Sequence, residues 1–372
     1  MRVLDSPAPT ADIDLGAGVR YQTWSSWQRF KFLYLSDDGR IVDASTPRQA
    51  TTSTGQSYAL FFALVANDRP AFDAILLWTL RNLAGGSLEK SRPARQWGQA
   101  DDGTWRVLDA DSQSGADLWL AYALGEAARL WREPRYARLG LAVARNIVAE
   151  EVATVAGLGT VLLPGPEGFV TEHHWRLNPS YLPLPAIRGL ARQTGEAVWT
   201  EIALSSERII LGAAPNGFAA DWIEFTQDGF VADRTSCGVG SHDAIRVYLW
   251  AGMLPASEPM REPLATALKP MLNSIAKQSV VAETVDTQTL EMHGEGSPGF
   301  SAALLPSLAN ARMSAALQAH RKRAAEDSLQ GNQSYYSDAL TLFGLGWLEQ
   351  RYRFNRAGLL NVRWTPAADR PH

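Results

Sequence analysis

Apolar residues recur along most of the chain with the three-to-four-residue period of an α-helix, and long alternating strand patterns are scarce. The pattern predicts an all-α protein with twelve helices, over residues 24–35, 55–66, 69–83, 115–131, 134–151, 180–193, 196–212, 242–253, 262–276, 299–309, 312–325 and 334–351. Several of these segments have recognisable starts, such as Asp68 followed by Pro70 and Glu133 followed by Pro134.

The predicted helices fall into two classes according to the placement of their charged residues. Those that begin near residues 55, 115, 180, 242, 299 and 334 are apolar nearly all round, whereas their partners carry charges on one face. Helices of the first class are typically buried and those of the second cover them. Six of each predict an (α/α)6 barrel of six inner and six outer helices. A solenoid of helix pairs is the alternative, but the sequence has no fixed-period repeat of the kind that solenoids carry.

The composition sets limits on the organisation and the partners. No Gly/Ser tract, Pro-rich run or charge block interrupts the chain, which predicts a single domain over residues 1–372 with its core at about 20–355. A net charge of −4 with mixed signs argues against nucleic acid. Six His and the single Cys237 favour neither a disulfide framework nor a Cys-based metal site, and no cofactor is indicated.

The chain shows no membrane or export signal of its own. No apolar run approaches 18 residues, so no membrane insertion is expected. The segment Met1 to Pro7 lacks the apolar region of a signal peptide. Either the protein is cytoplasmic, or a leader has been removed and this is the mature form.

Polar clusters lie at the predicted starts of the inner helices, over residues 51–57, 109–117, 178–181, 241–243, 294–299 and 334–336. In a barrel these clusters gather at one end, where free backbone N–H groups favour hydroxyl-rich ligands. Capping of the helices is the alternative for each cluster taken alone. Thirteen Trp residues add flat apolar faces that suit stacking against a pyranose ring, although core packing is again the alternative for any one of them.

Ordered motifs run from about Trp24 to Phe354: Ala50 to Ser53 with Gly55 to Tyr58, Trp97-Gly98, Val107 to Asp109, Trp175 to Pro183, Asp243 to Tyr248, Gly299 to Ala303, and Tyr335-Tyr336 with Leu342 to Gly344. They resemble glycoside hydrolase family 8, in particular the periplasmic cellulases that accompany bacterial cellulose synthase. The resemblance implies an (α/α)6 barrel, a cleft for a β-1,4-glucan that is cleaved with inversion, a periplasmic or secreted location, and a cellulose-synthase complex as a partner.

The chain departs from the family pattern at the point of chemistry. An inverting glycosidase needs a carboxylic acid and a carboxylate base roughly 6.5–9.5 Å apart. By resemblance the base is Asp243, whereas the acid position holds Thr54, whose hydroxyl is too weak an acid for this role. The family signature Ala-Ser-Asp-Gly-Asp aligns with residues 113–117, so that Gly115 replaces its first Asp. His242 stands where the family commonly has Tyr.

Three hypotheses follow. The chain binds β-1,4-glucan with hydrolysis weak or lost; or it is an active endo-β-1,4-glucanase with a relocated acid; or it acts on a different, acidic or substituted exopolysaccharide, for which Gly115 leaves room. Candidates for the relocated acid are Asp109, Asp111, Glu172 and His242, each with capping, solvation or a local hydrogen bond as the alternative.

Other residues are predicted to bind the sugar rather than to react with it. Arg246, three residues after Asp243, is placed to orient that carboxylate. The remaining predicted contacts, with core packing or capping as the alternative, are hydroxyl contacts from Gln56, Ser57 and Asp117 and ring platforms from Trp97, Trp105, Tyr181 and Tyr336.

Overall fold

The computed structural model describes residues 23–278, 280–326 and 334–365, so the Met1 to Pro7 segment lies outside the described residues. Thirteen α-helices lie within these ranges: α1 (Ser25–Tyr34), α2 (Ser53–Val65), α3 (Arg69–Asn82), α4 (Ser114–Trp131), α5 (Pro134–Glu150), α6 (Leu184–Thr194), α7 (Ala197–Gly212), α8 (Ile245–Gly252), α9 (Arg261–Ala267), α10 (Lys269–Ile275), α11 (Pro298–Asn310), α12 (Ser314–Glu326) and α13 (Tyr335–Leu348).

The predicted helices are present, except that one is divided into two and two begin several residues later than predicted. The segment predicted as one helix over 262–276 is two, α9 and α10, which meet at Leu268. Pro270 explains the break, because it has no N–H to donate and its ring crowds the preceding turn. Before α6 the chain forms a 3₁₀ turn at Pro179–Tyr181, and α8 begins at Ile245 rather than at residue 242.

The protein is mostly helical rather than purely all-α, because thirteen short strands also lie in the described residues: β1 (Thr51–Thr52), β2 (Gln96–Gln99), β3 (Trp105–Asp109), β4 (Val152–Val155), β5 (Gly159–Leu162), β6 (Trp175–Leu177), β7 (Ile223–Thr226), β8 (Gly229–Ala232), β9 (Val239–Gly240), β10 (Thr284–Asp286), β11 (Met292–His293), β12 (Tyr352–Phe354) and β13 (Leu360–Val362). They form five small antiparallel sheets, β1-β2-β3, β4-β5, β6-β7-β8, β11-β10-β9 and β12-β13. Strands of two to five residues are too short for alternation to reveal them.

The apolar helices pack against one another in cyclic order. α2 contacts α4, α4 contacts α6, α6 contacts α8, α8 contacts α11, α11 contacts α13, and α13 contacts α2. Every residue of α2 is buried, which accounts for its lack of a charged face. The interior is aromatic: the ring of Phe61 lies 5.0 Å from that of Trp119 and 5.4 Å from that of Phe343.

Amphipathic helices cover this interior. α3 packs on α2, α5 on α4, α7 on α6, and α12 on α11. The two layers that the charge distribution predicts are therefore present among the described residues. None of the helices that the structure describes combines the length and apolar character needed to cross a membrane.

Candidate active site

A cleft of about 580 Å³ lies where the first turns of α2, α8 and α13 meet the start of α4. This volume is within the range typical of ligand sites. The lining comes from five stretches of the chain: Thr52, Thr54, Arg95, Gln96, Gln113, His242, Asp243, Arg246, Ser334, Tyr335 and Tyr336. Four of the six polar clusters that the sequence places at helix starts, 51–57, 109–117, 241–243 and 334–336, therefore contribute to this cleft.

Asp243 is held in a closed ring of hydrogen bonds. Its Oδ1 accepts from Arg246, and its Oδ2 accepts from Asn178 Nδ2 at 2.8 Å. Asn178 Oδ1 accepts from Ser180 Oγ at 2.6 Å, and Ser180 Oγ accepts from Arg246 Nη2 at 2.9 Å, which closes the ring. The side chain of Asp243 remains 26% exposed. A carboxylate has about four acceptor positions, so Asp243 keeps acceptor positions for a ligand beside the two hydrogen bonds that fix it.

Arg246 joins this ring to the surrounding tyrosines. Its side chain is only 5% exposed, and Nη1 donates to Tyr58 Oη at 3.2 Å. The guanidinium lies 5.6 Å from the ring centre of Tyr181 and 5.9 Å from that of Tyr336. The predicted contact of Arg246 with Asp243 is present in this structure. Of the two tyrosines predicted as ring platforms, Tyr336 lines the cleft, whereas Tyr181 is not among the described lining residues.

A second carboxylate positions the turn that carries Asp243. Asp221 Oδ1 accepts from the backbone N–H of Ser241 at 2.8 Å and of Ala244 at 2.7 Å. Burial and the negative charge of Asp243 raise the pKa of Asp221. Asp221 does not line the cleft, so its effect on a ligand passes through Asp243.

The position of the predicted acid is occupied by a neutral chain of hydrogen bonds. Thr54 Oγ1 donates to Gln113 Oε1 at 2.7 Å, and Gln113 Nε2 donates to Tyr181 Oη at 2.5 Å. Burial raises the pKa of Tyr181 to about 12, so this hydroxyl keeps its proton at neutral pH. None of these three side chains readily releases a proton to a glycosidic oxygen at neutral pH.

Gly115 does not open the additional room that its sequence suggests. A Cβ atom built on Gly115 lies 3.0 Å from Cγ and 3.1 Å from Cβ of Tyr181. The ring of Tyr181 therefore covers the space beside Gly115, and the expectation of a roomier site is wrong. An aspartate at residue 115 requires Tyr181 to shift by a few tenths of an ångström.

Trp97 and Trp105 lie on the other face of the β1-β2-β3 sheet. Thr52 and Gln96 are cross-strand partners that line the cleft, whereas the neighbouring pair is Thr51 with Trp97. Because side chains alternate between faces, Trp97 points away from the cleft. It packs on Trp78 of α3, and the ring of Trp105, 43% exposed, is stacked 5.2 Å from it.

Three further predicted sugar contacts are buried instead. The amide of Gln56 is used internally, where it accepts from the backbone N–H of Ile41 at 2.7 Å and donates to Thr79 Oγ1 at 3.0 Å. Ser57 Oγ donates to the carbonyl of Thr54, and Asp117 has no exposed surface. The structure does not bring these side chains to the cleft.

Asp117 belongs to a buried acid pair with Glu151. None of the described N–H or O–H groups donates to either oxygen of Asp117, or to Oε2 of Glu151. Burial and the neighbouring carboxylate raise the pKa of Asp117 well above its usual range, and burial raises that of Glu151 to about 7. A proton shared by the pair satisfies both groups, while Arg92 and Ser112 bond the other oxygen of Glu151.

This acid pair predicts a fall in stability as the pH rises. The folded protein keeps a proton that the unfolded chain releases above about pH 4, so the stabilisation is full at low pH and declines up to the folded pKa. We expect Asp117→Asn, whose amide can donate to Glu151, to flatten the decline in the free energy of unfolding between pH 5 and 7. One proton accounts for about 1.4 kcal/mol per pH unit. Urea denaturation at each pH measures the slope.

Asp111→Asn is the matched control, since Asp111 is exposed and apart from the pair. We expect this variant to keep the native slope. An unchanged slope in Asp117→Asn would show that the pair holds no proton at pH 5 to 7.

Of the four candidates for a relocated acid, only His242 lines the cleft. Asp109 accepts from Arg95 Nε at 2.8 Å, Asp111 is exposed, and the side chain of Glu172 is 89% exposed; none of the three lines the cleft. His242 does line it, with Nδ1 3.0 Å from Ser241 Oγ. Asp243 is the one carboxylate among the described lining residues.

Sequence reasoning missed the residues that connect the site. Residues 109–117 and 178–181 are both predicted to lie at the ligand end of the barrel, but neither Gln113 nor Asn178 is singled out there, although Gln113 stands in place of the signature's Ala. That mismatch was the available signal for Gln113. Nothing in the sequence distinguishes Asp221 from the other acidic residues in loops, so its contact with the turn that carries Asp243 could not be predicted.

A larger cavity of about 650 Å³ lies far along α4 from Gln113. Its wall includes Gly125, Ala128, Leu141, Leu190 and Leu359 and is largely apolar. The cleft at the helix starts is the better candidate site, because it gathers a fixed carboxylate, a buried cation and several hydroxyls at one place.

The chain is similar to known proteins over most of its length. The family model of the glycosyl hydrolases family 8 matches residues 17–350. An endoglucanase of Escherichia coli O157:H7 is 46% identical over 343 residues, which cover 92% of each chain. An endoglucanase of Xanthomonas axonopodis pv. citri is 46% identical over 356 residues, which cover 95% of this chain and 93% of that protein.

Solved structures extend the similarity to the fold. The crystal structure of an endo-1,4-D-glucanase from Vibrio fischeri ES114 superimposes with a TM-score of 0.87 at 42% identity. The match covers 92% of this chain and 99% of that one. The family model, which matches residues 17–350, also spans every described residue that lines the cleft.

Proposed function

Because the chain belongs to family 8 of the glycosyl hydrolases, we propose that it binds a β-1,4-glucan in the cleft and hydrolyses it slowly or not at all. One observation carries the proposal: among the described lining residues Asp243 is the single carboxylate, opposite a neutral Thr54. Inverting hydrolysis needs an acid as well as a base. Loss of a general acid costs on the order of 10²–10⁴ in rate.

The charges of the cleft favour a neutral glucan over an acidic exopolysaccharide. Both arginines that line it are already paired, Arg95 with Asp109 and Arg246 with Asp243. Neither is left free to receive a carboxylate or sulfate from a ligand. The hydroxyls of Thr52, Thr54 and Tyr336 and the amides of Gln96 and Gln113 suit the hydroxyls of an unsubstituted sugar.

The cyclic contacts of α2, α4, α6, α8, α11 and α13 support the (α/α)6 barrel that the family resemblance implies. In this arrangement the cleft lies across one end of the inner ring. A glucan chain then lies over the starts of the inner helices, where backbone N–H groups and polar side chains are concentrated.

The resemblance also supports a periplasmic location beside a membrane-embedded cellulose synthase, where the protein would hold the emerging glucan. Fractionation of the producing cells measures this directly. Recovery from the cytosol alone would contradict it.

Calorimetric titration with cellohexaose, followed by chromatography of the mixture after an overnight incubation, tests the proposed function. We expect saturable binding and intact cellohexaose. Maltohexaose, which has α-1,4 linkages, is the ligand control and is expected not to bind. Absence of binding to any β-glucan contradicts the proposal, and so does rapid release of shorter cello-oligosaccharides.

An active hydrolase that uses His242 as the acid is the second candidate function. The observation in its favour is that His242 lies in the cleft directly beside Asp243. Under the principal proposal, His242→Gln leaves the residual hydrolysis of cellohexaose unchanged. Loss of measurable native hydrolysis in this variant would favour the alternative.

A further inference from the structure

We propose that Gln113 is the specificity-determining residue of the cleft, and that its carboxamide presents a neutral donor and acceptor to the hydroxyls of the bound glucan. This inference rests on the proposed function and names the group that recognises the ligand. The side chain of Gln113 also fills the space that an acid at residue 54 requires.

The backbone of Gln113 starts α4 while its side chain is free for another use. Gln113 is the N-cap residue with an extended φ of −133°, and its carbonyl accepts from the N–H of Ala116 and of Asp117. No side-chain cap bond accompanies it. A side chain at an N-cap commonly bonds the N–H groups of the first turn. Here it extends into the cleft instead.

The carboxamide links two parts of the chain that are far apart in sequence. Oε1 accepts from Thr54 Oγ1 at 2.7 Å, and Nε2 donates to Tyr181 Oη at 2.5 Å. Since both partners are hydroxyls, each can donate or accept, and the chain holds in either orientation of the amide. Gln113 therefore fixes the hydroxyl of Thr54, which lines the cleft, and connects it to the hydroxyl of Tyr181.

The groups that remain unused define the ligand chemistry. A carboxamide has two donors and two acceptor positions, of which one of each is occupied. Gln113 keeps one N–H and one lone pair, the Tyr181 hydroxyl keeps its proton for donation, and Thr54 keeps its lone pairs. Adjacent hydroxyls of a pyranose both donate and accept, so they match this set without any net charge.

Tyr181 has little freedom to leave this arrangement. One side of it lies against Gly115, and Arg246 lies 5.6 Å from its ring centre. Removal of the Gln113 amide leaves the hydroxyls of Thr54 and Tyr181 without their partner while the rings stay in place. We therefore expect loss of the Gln113 amide to weaken ligand binding more than it lowers the free energy of unfolding.

Titration of cellohexaose against the native protein, Gln113→Ala and Gln99→Ala tests the inference. Gln99 is the matched control, because its amide bonds Gly103 in the β2-β3 turn outside the cleft. We expect Gln113→Ala to weaken binding at least tenfold and Gln99→Ala to bind like the native protein. Binding of Gln113→Ala within twofold of native, with equal melting temperatures, would overturn the role of Gln113.

A pH profile of Gln113→Glu separates recognition from a structural role. Its protonated carboxyl can donate and accept as the amide does, whereas its carboxylate can only accept. We expect its affinity, relative to native at the same pH, to recover as the pH falls from 8 to 4. A constant ratio across this range contradicts the inference. Failure of the native protein itself to bind any β-glucan rejects the proposed function, and this inference with it.

Discussion

The variant Thr54→Glu/Gln113→Ala/Gly115→Asp is expected to hydrolyse cellohexaose at least 10²-fold faster than the native protein. The glutamate supplies the missing acid, and the distance between its carboxyl and Asp243 then decides whether water fits between them. Positioned general acids contribute on the order of 10²–10⁴ in rate. Release of shorter cello-oligosaccharides over time measures the gain.

The single change Thr54→Glu is expected to remain close to inert. Gln113 bonds Thr54 at the position that the longer acid needs, and Tyr181 covers the space beside Gly115. The Gln113→Ala change removes the obstruction beside residue 54, while an aspartate at residue 115 still requires Tyr181 to give way by a few tenths of an ångström. Structure thus adds a third substitution to the two that sequence comparison suggests.

Asp243→Asn in the background of the triple variant is the control for base catalysis, and it is expected to abolish the gained activity. Hydrolysis by the native protein as fast as by the triple variant would show that another group already supplies the proton. Full activity of Thr54→Glu alone would show that Gln113 does not obstruct the acid.

Arg246→Met is expected to lower the free energy of unfolding by about 1–3 kcal/mol and to abolish detectable binding of cellohexaose. The change leaves buried hydrogen-bond partners of Arg246 unsatisfied, whereas Asp243 is 26% exposed and keeps its bond from Asn178. Arg246 also bonds Ser180 and Tyr58, which stand on two other elements of the inner layer. Urea denaturation with calorimetric titration measures both effects.

Arg95→Ala provides the matched comparison for stability. Arg95 also forms an ion pair at the cleft, with Asp109, but its side chain is 52% exposed. Exposed pairs contribute about 0–1 kcal/mol, so only a small change in unfolding free energy is expected. Equal destabilisation by the two variants would show that burial of Arg246 is not the cause.

The sequence by itself determined the layered helical organisation. Helix α2 is apolar on every side, whereas α5 carries charges on one face. A helix of the first type is stable only when it is buried, and a helix of the second type can cover it. It also determined the family and located the departures at Thr54, Gly115 and His242, because motif residues keep their order along the chain whatever their contacts are. Asp243 and Arg246 were found as a pair since three residues on a helix start bring them to one side.

The tertiary structure alone decided which polar side chains face the cleft. Gln56, Asp117 and Gln113 all stand at the starts of inner helices, yet the first two are buried in internal contacts and only Gln113 reaches the cleft. Helix capping, internal hydrogen bonding and sugar binding draw on the same residue types, so composition at a helix start does not separate them.

The deciding contacts come from residues distant in sequence. Gln113 meets Tyr181 across 68 residues, and Asn178 meets Asp243 across 65. Likewise Trp97 faces away from the cleft because Gln96, its neighbour on β2, faces into it. The local sequence determines the periodicity of an element. It does not determine which face of a short strand is buried or which residue a side chain contacts, because both depend on the distant elements that pack against that strand or side chain.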